Sequence, residues 1–430
     1  MIVARAAAVL AIAAALTACT AGPESEPTPS DTSAAVAAEC AAAVDDIIAA
    51  VDELVAGYES PLVADQSAPT PVPSPNATPG AETGDALADA VTAARETRDR
   101  LGCDPDDFTA GLEAGLAGVE PGGPIATAVW KRISASLLGT VRQDAGEWEL
   151  PEGEDLHEAV AVAAEGSTIV LPEGALDVEG TLVLLEGVTL RGAGRDATTV
   201  RSDSGDAAII IATGRQVRLE NLTIEVVGDQ PASGIVAGPS SAVALTGVRV
   251  AGAKADADGV GGAGVYLSAE ADQGSGRGTT LEITDSVFER NAWAGVAVAG
   301  GHRVSIESAT FSGNGQVGVL FLDSSSGSIS DSTFADNAIG VAASGSSTPI
   351  LLSSTVSGGS VGVQTDASAT PTIEGLRISG SSAAAVIYGG ASGGSIGGTV
   401  CENVPYGIVI SDTAAPTLHE NSCAVARGAS

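Results

Sequence analysis

From Ile283 to Leu418 the chain returns to one pattern every 22 or 23 residues, and this period limits the possible folds more than any other feature. Each unit carries an apolar residue followed five places later by another: Ile283/Phe288, Ile306/Phe311, Ile329/Phe334, Leu351/Val356, Ile373/Ile378, Ile396/Cys401 and Leu418/Cys423. Leu219/Ile224 and Leu245/Val250 extend the series upstream. Gly295, Gly318, Gly340, Gly362 and Gly407 open a third short segment. Val296, Val319, Val341, Val363 and Ile408 follow them, then Val298, Phe321, Ala343, Thr365 and Ile410 two places on, the alternation of a strand with one face inward. A strand of four or five residues cannot shield that face alone. Coils stacked about 4.8 Å apart pair each strand with its copies and close a shared apolar interior. Self-similarity at this period marks a solenoid. The Leu-x-x-Leu-x-Leu signature of a leucine-rich repeat is absent, so the expected fold is mainly β, a parallel solenoid.

The region upstream has a different period. Val36, Cys40, Val44, Ile47, Val51 and Leu54 fall on one helical face, and Leu87, Val91, Ala94 and Leu101 make a second stripe. Prolines at 61, 69, 71, 73, 75 and 79 break the pattern between them. Asp104-Pro105-Asp106-Asp107 reads as an N-cap, a first-turn proline and first-turn acids. A fourth helix starts near Pro124. The expected organisation is a small helical domain over 34–145 with a Pro-rich loop at 61–84, then the solenoid over 152–425. An antiparallel hairpin of the first two helices brings Cys40 and Cys103 together, predicting a disulfide. Cys401 and Cys423 share a register in adjacent coils, within the Cα separation that a disulfide spans, predicting a second one.

Two resemblances sharpen this picture. The short stripe Leu156, Ala159, Val160 and Ala163, closed by Gly166, precedes STIVLPEG and VTLRGAG. This order resembles the N-terminal cap and first coils of right-handed parallel β-helix proteins of the pectate-lyase-like superfamily. The resemblance implies a right-handed parallel β-helix solenoid preceded by the small α-helical domain. At the N-terminus, Arg5, the apolar run Ala6–Leu16 and Leu16-Thr17-Ala18-Cys19 resemble a bacterial lipoprotein signal with its lipobox. That resemblance implies a signal peptide over 1–18, cleavage before Cys19, lipidation of Cys19 and a flexible tether over 19–33. The chain is then expected in the cell envelope, on the extracytoplasmic side of the membrane, with the lipid anchor as its membrane partner.

Fifty-four acids against 19 bases give a formal charge of −35, which repels nucleic acid and anionic headgroups. The period fails once, between Leu245 and Ile283, where a 38-residue step leaves about 15 extra residues near Ala251–Gly262 and Ser268–Thr279. Insertions on a rigid solenoid are where binding and catalysis concentrate. The expected binding region is therefore Lys254, Asp272, Trp293, His302 and Arg303. Asp256, Asp258 and Arg277 are the candidates for lyase-like chemistry, a base over an acid cluster. Asp256-Ala-Asp258-Gly259 hints at calcium, but an EF-hand loop would need an acid near Leu267, and none is there. His157, His302 and His419 are isolated, so no metal site or cofactor is expected.

The motifs of catalytic β-helix families are missing. Of the polygalacturonase-like set only Gly300-Gly301-His302-Arg303 remains, and the Asp-Pro-His-Glu of alginate-epimerase-like proteins is absent. Asn291, Asn314 and Asn337 share a register and read as a structural asparagine ladder at a turn, where Asn tolerates left-handed backbone. Trp293, Tyr266, Tyr388 and Tyr406 are the aromatics available for stacking on sugars. The expected role is non-catalytic, binding a glycan or surface protein or serving structure. The alternatives are a lyase or hydrolase of acidic polysaccharide, or an accessory protein like the NosD-like family, which shares the repeat. The sequence names neither the ligand nor the oligomeric state.

Overall fold

The structure is a computed structural model in which residues 31–58, 81–211, 214–259, 261–267 and 278–428 are described. The lipobox, Cys19, Asp272, Arg277 and almost all of the Pro-rich loop lie outside them. Contacts divide the chain into a helical unit, which includes residues 157–164, and a β unit that holds residues 146–156 and those after 164.

The helical unit contains α1 (Asp31–Ala56), α2 (Ala81–Leu101), α3 (Pro105–Leu116) and α4 (Pro124–Leu137). Cys40 and Cys103 are bonded, with Cα atoms 6.0 Å apart, and Arg100 reaches Glu39, so α1 and α2 run antiparallel. Asp104 caps α3 by accepting from the Asp106 and Asp107 amides. Gly115 of α3 lies against Ile48, where a β-carbon would come within 2.5 Å of the side chain; the missing methyl lets α1 and α3 close. The short helix α5 (Leu156–Val162) groups with this unit through residues 157–162. Buried Arg132 donates to the Ala161 and Ala163 carbonyls at 2.9 and 2.7 Å, satisfying the C-terminal end of α5.

In the β unit, three parallel sheets run its length: sheet A with twelve strands, sheet B with ten and sheet C with eleven, among the described residues. The chain visits A, B and C in turn, so each strand pairs with its copies in the coils before and after, as in a parallel β-helix. The apolar pairs of the repeat fall in register. Ile283, Ile306 and Ile329 align in sheet A. Phe288, Phe311 and Phe334 align in sheet B with ring centroids 5.1 and 4.9 Å apart and planes within 10° of parallel. Val296, Val319, Val341 and Val363 align in sheet C. All of these are buried.

The corners share a backbone rule. In eight successive coils the residue after the sheet A strand is left-handed: Asn221, Gly247, Asp285, Ser308, Asp331, Ser353, Gly375 and Gly398, with φ between 46° and 67°. Between sheets B and C the left-handed position is held by Arg290, Gly313, Asp336, Gly358, Gly380 and Asn403. The asparagine ladder therefore departs from expectation in its cause, since each Asn stands one place after the left-handed residue. Its amides do the work instead. Asn291 Nδ2 donates to Asn314 Oδ1 at 3.0 Å, and Asn314 Nδ2 to Asn337 Oδ1 at 2.9 Å. Each Nδ2 also donates to a backbone carbonyl of the preceding coil, and each of these oxygens also accepts a backbone amide. Buried polar atoms paired this fully hold the corner closed. Cys401 and Cys423 are bonded with Cα atoms 5.1 Å apart and tie the last coil to its neighbour, where a solenoid otherwise frays.

Candidate functional site

The first insertion, after the sheet B strand Arg249–Ala251, forms the B-to-C corner. Residues 268–277 of the second lie outside the described residues. The first loop is tied down by its backbone. Lys254 bridges Ala232 in both directions, at 2.8 and 2.9 Å. The Gly262 carbonyl accepts from the Trp293 amide at 3.1 Å, and the Gly259 carbonyl from Gln316 Nε2 at 3.2 Å. The loop thus lies along the edge of sheet C and reaches toward later coils.

On the outer face of sheet C beside this loop, Ala263, Ala294, Ala297, Val317 and Leu320 form a second apolar cluster, separate from the interior. Tyr266, Trp293, Leu322, Ile339 and Ala342 pack against it, half-buried. The Tyr266 and Trp293 rings stand 6.2 Å apart at 55°, a tilted pair within the range of favourable aromatic contact. The cluster belongs to a longer strip. One outward register runs Val236, Tyr266, Ala297, Leu320, Ala342, Gln364, Ile387 and Val409 along successive coils. Across the eleven strands of sheet C the only charged residue is Arg427, against nine in sheet A and seven in sheet B. Exposed Tyr406 stands on the same sheet.

The candidates named from sequence scatter over this frame. Trp293 lies on the outer face of sheet C, and Lys254 sits half-buried in the loop at its edge, its carbonyl carbon 2.6 Å from where a Gly262 β-carbon would lie. His302 and Arg303 are elsewhere. His302 is buried at the C-to-A corner, where Nδ1 accepts from the Thr279 amide at 2.8 Å. Arg303 opens a sheet A strand, paired with Thr280 and Ser326, and is exposed. The single binding region expected from sequence is thus divided between two faces, because neighbours across a corner point to different sides of the solenoid. Tyr388 is lost as a stacking platform as well. It fills the interior register between Thr365 and Ile410 and is fully buried, and burial pushes the ionisation of its hydroxyl up.

Asp256 and Asp258 close a local turn, in which the Asp258 amide donates to Asp256 Oδ1 at 2.9 Å. Among the described residues no group of three or more His, Cys, Asp or Glu is placed to hold a metal. Asp285, whose register partner two coils on is Asp331, holds a left-handed corner and pairs with Arg195 at 2.6 Å. The strip on sheet C had one signal in the sequence, the absence of Asp, Glu, Lys and Arg from the third strand of every coil but the last.

Residues 271–423 match a family described as "Right handed beta helix region". No curated protein matches the sequence. Among solved structures, the enzymatically active domain of tailspike protein 2 from bacteriophage CBA120 is similar at 12% identity and a TM-score of 0.46, over 63% of this chain and 48% of that one. ORF18 of Geobacillus virus E2 is similar at 11% identity and a TM-score of 0.47, over 75% and 65%. The catalytic unit of a GH87 α-1,3-glucanase from Streptomyces thermodiastaticus is similar at 16% identity and a TM-score of 0.41, over 66% of each chain. The chain spans about half the length of the tailspike domain. The three parallel sheets, together with the match over residues 271–423, make the β unit a right-handed parallel β-helix.

Proposed function

We propose that this chain is a lipid-anchored protein of the cell envelope that binds rather than catalyses, and that the outer face of sheet C is its binding surface. One observation carries the reading: in a chain of charge −35, one side of the solenoid bears a single charged residue in eleven strands. An exposed side chain without charge loses little when it leaves water, whereas the charged faces of sheets A and B would have to shed or neutralise theirs. Leu16–Cys19 supports the anchor, and the two disulfides suit an oxidising compartment. The Tyr266–Trp293 pair favours a second form of the same reading, in which the partner is a glycan whose apolar ring faces stack there.

Two measurements test the proposal. Full-length protein incubated with neutral and acidic polysaccharides, with and without calcium, is expected to release neither reducing ends nor unsaturated uronates. Turnover that disappears in Asp256→Ala or Arg277→Ala would make it an enzyme instead, and tight copper binding would favour the accessory role. Cys19→Ala is expected to move the protein from the membrane fraction to the soluble fraction, and a variant that stays on the membrane contradicts the anchor.

A further inference from the structure

Inside the solenoid, at the corner that leads from sheet C to sheet A, one interior position is polar in almost every coil. Ser241, Thr279, His302, Ser325, Ser347 and Ser392 hold it in register, with Ala369 interrupting the series. All of them are buried. A hydroxyl shut away from water needs a partner, and the ends of the series find one in protein. Thr279 Oγ1 donates to the Gly238 carbonyl at 2.9 Å. Ser392 Oγ donates to the Gly389 carbonyl at 2.6 Å and accepts from Thr365 Oγ1 at 3.0 Å. Ser325 and Ser347 differ. Both are 0% exposed, and among the described residues neither Oγ has a protein partner. They are neighbours in adjacent coils, because the residues that follow them, Ser326 and Thr348, pair in sheet A.

We infer that a water molecule is bound inside the solenoid between Ser325 and Ser347, joining the two coils as a structural ligand. Adjacent coils repeat at about 4.8 Å. Two oxygens at that spacing are too far apart for a direct bond, but one water at about 2.8 Å from each bridges them. The corner offers each serine another solution, and neither takes it. The Ser325 and Ser347 amides donate to the Leu322 and Ser344 carbonyls at 3.1 and 3.4 Å, as the Ser392 amide does to Gly389 at 3.1 Å. Only Ser392 also turns its hydroxyl back onto that carbonyl. Room comes from two small neighbours. Ala369 stands between Ser347 and Ser392, and Ala343 between Phe321 and Thr365 in the inward register of sheet C. A polar site with space beside it and two hydroxyls in reach is what an internal water requires. A cation would need a carboxylate there. Asp323, the acid two places before Ser325, is exposed and accepts from the Gly300 amide at 3.0 Å instead.

A high-resolution crystal structure of the full chain tests this directly. Density for a water about 2.8 Å from both hydroxyls is expected. Hydroxyls turned onto the Leu322 and Ser344 carbonyls, with no density between them, would overturn the inference. In solution, Ser325→Ala and Ser347→Ala decide the question by sign. With the bridge present, each single variant leaves the other hydroxyl and the water short of a bond, so each is expected to lower the unfolding midpoint by about 3 °C. The double variant removes both hydroxyls together and is expected to recover most of that loss. Circular dichroism should match the wild type in all three. Higher midpoints in both single variants would mean that the hydroxyls are buried dry, and losses that simply add would mean that they share no ligand; either result overturns the inference.

Discussion

Replacing Phe311 with Ala is expected to lower the stability of its stretch of the solenoid by about 4 kcal/mol, the middle of the range for deleting a buried phenylalanine. Phe311 is fully buried and is the central ring of three, stacked on Phe288 at 5.1 Å and on Phe334 at 4.9 Å. Its loss removes two aromatic contacts as well as the burial of one ring. Each coil is held mainly by its two neighbours, so the damage should be local. Amide hydrogen exchange should accelerate most over residues 305–322, with little change in the helical unit. Protection at the wild-type level throughout the coil would show that the ring bears no stabilising contact.

A second large effect is expected at Gly318. A β-carbon there would lie 2.5 Å from the Gly340 carbonyl oxygen and 2.6 Å from Cδ1 of Phe334. Gly318→Val should therefore cost about 3 kcal/mol, at the upper end for forcing extra carbon into a packed interior. The conformation at Gly318 is not left-handed, so the requirement is one of space. Gly313 makes the contrast. It is left-handed at φ 60°, with nothing within 4 Å of the added carbon. Gly313→Ala should cost only about 1 kcal/mol, a purely conformational charge. Equal losses at the two glycines would contradict the packing described here. Denaturation midpoints of the two variants, measured side by side, decide the point.

The glycine column shows what the sequence made legible and what it did not. The period, the inward residues and the recurrence of glycine at 295, 318, 340 and 362 are visible in the letters because the coil length is constant. The reason for the glycines is not, because the colliding atoms belong to the next coil: Phe311 for Gly295, Phe334 for Gly318, Val356 for Gly340 and Ile378 for Gly362. Cys401 and Cys423 could be paired from sequence because they stand 22 residues apart in a register already established. Corners were harder. His302 resembles a surface residue in its Gly-Gly-His-Arg setting, yet the corner turns it inward to accept from Thr279. Tyr388 looks like an exposed aromatic, yet it occupies the same inward register as Phe321 and Ala343.

The candidate binding face was hidden for a related reason. Reading a repeat for its interior concentrates on positions that recur as apolar, and the outward positions of sheets A and B vary in charge as surfaces do. The outward positions of sheet C vary too, between Val, Tyr, Ala, Leu, Gln and Ile, so no column stands out. Their shared lack of charge becomes evident only when the third strands are placed side by side on one face. The insertion pointed to this region, because its first loop edges sheet C and holds Trp293 through Gly262.

The stacking of coils in fixed register underlies every other statement, and one engineered crosslink measures it. Ile224 and Val250 are register partners in sheet B, in the interior row that Phe288 and Phe311 continue and that Cys401 enters further along. Ile224→Cys combined with Val250→Cys, refolded in a glutathione buffer and mapped without reduction, should yield one peptide pair joining positions 224 and 250, alongside the native Cys401–Cys423 pair. Two free thiols at 224 and 250, or crosslinks from them to Cys401 or Cys423, would contradict the register and the face built upon it.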